Sequence, residues 1–66
     1  MEALQRAIDI CGSQEKLGQK LDPPVKQQSV SGWLERKRIP PERAIQVETA
    51  TDGQVTRQEL CPDLYQ

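Results

Sequence analysis

The chain has 66 residues, of which 35% are apolar and 29% charged, so it offers one small domain whose aliphatic core must draw on nearly every element; Trp33 and Tyr65 are its only aromatics. Histidine is absent and the cysteines are Cys11 and Cys61 alone, which removes histidine acid–base catalysis, Ser–His and Cys–His nucleophiles and zinc sites of paired Cys/His ligands. Nine basic against ten acidic residues give a net charge of −1, which speaks against holding polyanions by bulk charge.

Leu4, Ala7, Ile8 and Cys11 follow the i, i+3, i+4, i+7 stripe of an amphipathic helix over about 2–11, and Gly12 stands where such a helix stops. Ser13 is a natural N-cap for a second helix over 13–21 with Leu17 and Leu21 inward. Gly18 within it is costly for a helix, which predicts the close approach of another helix there. Asp22-Pro23-Pro24 ends the segment, because proline removes an amide and restricts the residue before it.

The spacing of Val30, Trp33 and Leu34 predicts a third helix over 27–35, with Trp33 turned into the core rather than stacked on a ligand. Its other face, Gln27, Gln28, Ser31, Gly32 and Glu35, is polar but mostly uncharged, as suits a helix that approaches another surface closely. Proline then opens a fourth helix over 41–51 carrying Ala44, Ile45, Val47 and Ala50, and Asp52-Gly53 breaks it. Thr56-Arg57-Gln58-Glu59 matches a capping box, predicting a last helical turn through Leu60 before Pro62.

No apolar run exceeds two residues and Met1-Glu2-Ala3-Leu4 already reads as helix, so neither a membrane span nor a signal peptide is expected. An intracellular protein with two reduced thiols follows as the expectation, and nothing calls for a metal or cofactor. Charge is unevenly spread. Residues 14–43 hold seven cations against four anions, net +3, whereas residues 1–13 carry −1 and residues 44–66 carry −3. A basic centre between acidic ends suits a polyanion-facing middle segment.

Two short helices over about 13–35, joined by a tight turn and flanked by further helices, form the layout of a DNA-binding helix-turn-helix. Leu17, Gly18, Leu21, Val25, Val30 and Trp33 occupy the positions that pack the two helices at a steep angle. The interval from Leu21 to Val30 is nine, longer than usual in this motif by about two, and Pro23-Pro24 reads as the insertion. With Ser13-Gln14-x-x-Leu17-x-x-x-Leu21, Val30-Ser31-x-Trp33-Leu34, Ile39-Pro40-x-Glu42-Arg43-Ala44 and Thr51-x-Gly53-x-Val55-Thr56-Arg57-x-Glu59-Leu60-x-Pro62-Asp63 in order, the chain resembles the Cro/YdaS-type regulators of prophages over about residues 4–64. Cys61 departs from that pattern, where arginine is common.

The resemblance implies an all-α, four- to five-helix, lambda-repressor-like domain spanning residues 1–66, acting in the bacterial cytoplasm on double-stranded operator DNA as a homodimer. The third helix would enter the major groove with Gln27, Gln28, Ser31 and Gly32 at the bases, the two glutamines being best suited to adenine because an amide donates and accepts at once. Gln14, Lys26, Arg36, Lys37, Arg38 and Arg43 would meet phosphates. Glu35 reads either cytosine or, as we favour, ends the helix paired with a nearby cation. The tail over 52–66, with Val55, Leu60, Leu64 and Tyr65, serves either a dimer interface or the monomer's own core. An antitoxin-like interaction module, docking a toxin or another regulator through the acidic carboxyl-terminal part, is the alternative function.

Overall fold

In the computed structural model, which describes residues 2–62, the chain forms five helices: α1 Glu2–Cys11, α2 Gln14–Gln19, α3 Gln27–Arg36, α4 Pro41–Ala50 and α5 Arg57–Leu60. No strand occurs among the described residues, and the fold is all-α as expected. Leu4, Ala7, Ile8 and Cys11 are all buried, so the stripe of α1 faces the core. Leu17 and Leu21, Val30 and Trp33, Ile39, Ala44 and Val47, and Val55 and Leu60 complete the core. α2 packs against α1 and α3, and α5 against α4 and α1.

α2 is shorter than the expected 13–21. Ser13 caps it as predicted, its hydroxyl accepting from the Lys16 amide at 3.1 Å, but the helix ends at Gln19. The cause is the Gly18 carbonyl, which accepts from the amides of Leu21 at 3.3 Å and Val25 at 3.0 Å and so draws the chain into the turn. Gly18 itself answers to that turn and not to a helix. A Cβ there would lie 2.3 Å from the Val25 carbonyl oxygen, so the close approach inferred from sequence is made by returning backbone.

α4 begins with Pro41 and buries Ala44 and Val47 on one line. Ile45, expected inside, is 37% exposed, because the residue after Ala44 on a helix lies about 100° round the axis and Val47 continues the inward line instead. Leu34 is likewise only half-buried. The capping box of α5 forms in full, with the Thr56 hydroxyl accepting from the Glu59 amide at 3.2 Å and the Glu59 carboxylate accepting from the Thr56 amide at 3.3 Å.

The last helix is tied to the first by Arg6, which donates to the Glu59 carboxylate at 3.1 Å and to the Gln54 carbonyl at 3.0 Å. Thr51, the only buried polar residue among those described, donates to the Glu48 carbonyl at 3.1 Å and accepts from the Val55 amide at 3.2 Å. Val55 and Leu60 thereby fill the core of the single chain; Leu64 and Tyr65 lie outside the described residues. Cys11 and Cys61 are both buried free thiols, and the Cys61 thiol donates to the Ile39 carbonyl at 3.4 Å. No helix among the described residues is long and apolar enough to cross a membrane.

Candidate nucleic-acid interface

The rotation of α3 is set by what it buries. Val30 is fully buried and Trp33 is 6% exposed, which confirms the inward indole and leaves Gln27, Gln28, Glu35 and Arg36 exposed. Ser31 and Gly32 are half-covered and flank the outermost line. Lys26, the N-cap, is extended and gives no side-chain cap, so Gln27 and Gln28 open the helix without a capping side chain above them.

Before these glutamines lies an open groove of about 360 Å³ lined by Glu15, Gln19, Val25, Lys26, Gln27 and Gln28. Glu15 and Gln19 were missed by the sequence reading. Their signal was present, for they stand four apart on α2 and off the line of Leu17 and Leu21, but only the crossing of α2 over α3 brings them to the glutamines. Gln14, at the first turn of α2, is half-buried. One amide of that turn is already taken by Ser13, which limits what it offers an anion.

At the other end of α3, Lys37 adopts the left-handed conformation with φ 55° and ψ 39°. Its amide donates to the Leu34 carbonyl at 3.3 Å and the Arg38 amide to the Trp33 carbonyl at 3.0 Å, which closes the helix in a Schellman arrangement. Lys37 and Arg38 are thrown outward, and both are exposed. Arg36 instead folds back along the helix, its Nε donating to the Gly32 carbonyl at 3.2 Å. The pairing expected for Glu35 does not form: the ion pairs among the described residues are Arg6–Glu59 and Arg57–Glu48.

Arg43 is placed differently from the other expected phosphate ligands. Half-buried on α4, its Nη1 donates to the Pro23 carbonyl and to Gln46 Oε1, both at 2.8 Å. Gln46 in turn donates to the Asp22 carbonyl at 2.6 Å and accepts from the Asp22 amide at 3.3 Å. Arg43 and Gln46 therefore grip the turn between α2 and α3, and the long Asp22-Pro23-Pro24 insertion is held by α4. Gln46 was missed by sequence reasoning, since nothing local to residues 43–46 reveals a partner more than twenty positions away.

The helix-turn-helix geometry is shared with known proteins. A family model described as bacterial toxin YdaS matches residues 4–66. The solved structure of the Cro protein from putative prophage element Xfaso 1 in Xylella fastidiosa strain Ann-1 is 39% identical, superimposes with a TM-score of 0.92, and the match covers 100% of this chain and 98% of that one. No curated protein sequence matches. A small all-α fold with α2 and α3 paired about a braced turn, found in a chain that matches the YdaS model from residue 4 to its end and a prophage Cro over its full length, belongs to the Cro/YdaS-type prophage regulators.

Proposed function

We propose that the protein is a sequence-specific, double-stranded DNA-binding transcriptional regulator, a Cro-like repressor of a bacteriophage or prophage. The observation that carries this reading is the amino end of α3, where Gln27 and Gln28 stand exposed while Val30 and Trp33 lock the helix from behind. In this reading α3 lies in the major groove and the glutamine amides pair with adenine N6 and N7, each good bidentate pair discriminating by about 1–3 kcal/mol. Ser31 faces the base edges, and Gly32 beside it adds no side chain to that face. Lys26 at the head of α3, Lys37 and Arg38 at its tail, and Gln14 on α2 meet phosphates on either side, which positions the helix without specifying sequence.

The domain spans residues 1–66 and works as a homodimer on a palindromic site in the bacterial cytoplasm, since one such unit covers only a half-site. No catalytic step and no cofactor belong to this reading. Selecting bound duplexes from a random pool tests it, because an enriched palindrome reports site, symmetry and half-site spacing together. Gln28→Ala is expected to weaken the selected duplex by about 1–3 kcal/mol while leaving random duplex nearly unaffected. Equal loss on both would remove Gln28 from base reading.

The −3 charge of residues 44–66 favours as second reading an antitoxin-like module that docks a toxin or another regulator, and the description of the matching family as a toxin is consistent with it. A pull-down from host extract with the full chain tests this. Retention of every partner by Asp52→Asn/Asp63→Asn protein counts against it.

A further inference from the structure

Arg36 uses its guanidinium differently from the other cations of the central segment. It is the last residue of α3, and a helical side chain leans toward the amino end of its helix, covering the surface one turn back. One turn back is Gly32. Arg36 Nε donates to the Gly32 carbonyl at 3.2 Å, and Arg36 Nη2 lies 2.9 Å from the point a Cβ on residue 32 would occupy. The guanidinium fills the place of the side chain that residue 32 lacks, within the i, i+4 row Gln28, Gly32, Arg36.

A glycine inside a ten-residue helix needs a reason. At Gly18 the reason is the Val25 carbonyl, but at Gly32 the atoms within 4 Å of the missing Cβ belong to Arg36 alone. No other element among the described residues approaches, so the space is kept for the guanidinium itself.

Building on the DNA-binding reading above, we propose that Arg36 is a specificity-determining residue that reads guanine, and that Gly32 is its seat. With Nε spent on the Gly32 carbonyl, Nη1 and Nη2 remain as a planar fork one turn beyond Gln28 on the same helical row, matched to O6 and N7 of guanine in the major groove. Lysine keeps the positive charge that a phosphate contact draws on, but its point-like ammonium lacks the rigid planar fork that fixes two parallel bonds on a guanine edge.

The test selects duplexes with the unsubstituted protein, then titrates the best duplex and its single-base variants against that protein, Arg36→Lys and Gly32→Ala. The expected motif contains a G·C pair whose replacement weakens binding about tenfold or more. Both variants are expected to lose discrimination at that one position and keep it elsewhere, with Arg36→Lys retaining its affinity for random duplex and its salt dependence. Gly32→Ala should melt no lower than the parent, since alanine favours the helix and only the far end of a flexible side chain must move, which separates lost reading from lost folding. Retained guanine preference in both variants, or a motif without a G·C-dependent position, overturns the role of Arg36 and leaves the regulator reading standing. Enrichment of no motif at all by the unsubstituted protein overturns both.

Discussion

Gly18 shows how much a single hydrogen atom decides here. The returning chain passes so close that a Cβ would sit 2.3 Å from the Val25 carbonyl oxygen and 3.2 Å from its carbon, and backbone has little freedom to yield. The helix propensity gained by Gly18→Ala, about 1 kcal/mol, is outweighed by overpacking that costs typically 1–3 kcal/mol and more where the neighbour is main chain. Gly18→Ala is therefore expected to unfold at lower urea concentration with the slope of the transition unchanged. Greater stability in the variant would mean that the turn relaxes freely away from α2. Gly18 and Gly32 look alike in the sequence, each alone inside a helix. What sets them apart is the identity of the atoms opposite, a backbone carbonyl for one and a movable guanidinium for the other.

Among the elements, α4 has the least obvious task. It buries only Ala44 and Val47, yet through Arg43 and Gln46 it holds the carbonyls of Pro23 and Asp22 and thereby the spacing between α2 and α3. The two prolines deprive the turn of amides with which to bond itself, so the bracing comes from outside. Gln46→Ala is expected to lower stability by about 1 kcal/mol per net hydrogen bond lost and to weaken duplex binding, because α2 and α3 no longer share one geometry. Gln46 carries no charge and the Arg43 guanidinium is turned onto the Pro23 carbonyl and Gln46, so Arg43→Ala and Gln46→Ala should both leave the salt dependence of binding as it was. A slope reduced in Arg43→Ala alone would return Arg43 to the phosphate contacts suggested by its charge. The helix boundaries follow the same logic: Ser13, Pro41 and the Thr56–Glu59 box start helices where local chemistry dictates, whereas α2 stops two residues early because the Gly18 carbonyl is engaged by Val25.

For the molecule as a whole the net charge of −1 conceals a basic centre, so binding to a polyanion must be local and oriented. Affinity for duplex DNA is expected to fall with salt at a log–log slope of about −0.9 per phosphate neutralised. Lys37→Gly should reduce that slope by about one such unit while raising stability by about 0.5–1 kcal/mol, because glycine adopts the left-handed conformation of residue 37 without a Cβ penalty. Titration at several salt concentrations together with a urea melt checks both halves, and an unchanged slope would take Lys37 out of the phosphate contacts.

Sequence alone determined where the helices lie, the end of α2 excepted, with the buried stripe of α1, the inward indole of Trp33 and the polar face of α3, since each depends on residues within a turn or two of one another and local pattern reports such neighbours directly. Tertiary structure alone decided that Ile45 faces outward, that Glu15 and Gln19 border the groove before Gln27 and Gln28, and that Arg43 and Gln46 serve the turn. It also seated the Arg36 guanidinium over Gly32. Side-chain charge and type name what a residue can bind. Which partner it meets depends on how helices cross and which neighbour arrives first, and that is a property of the packed chain.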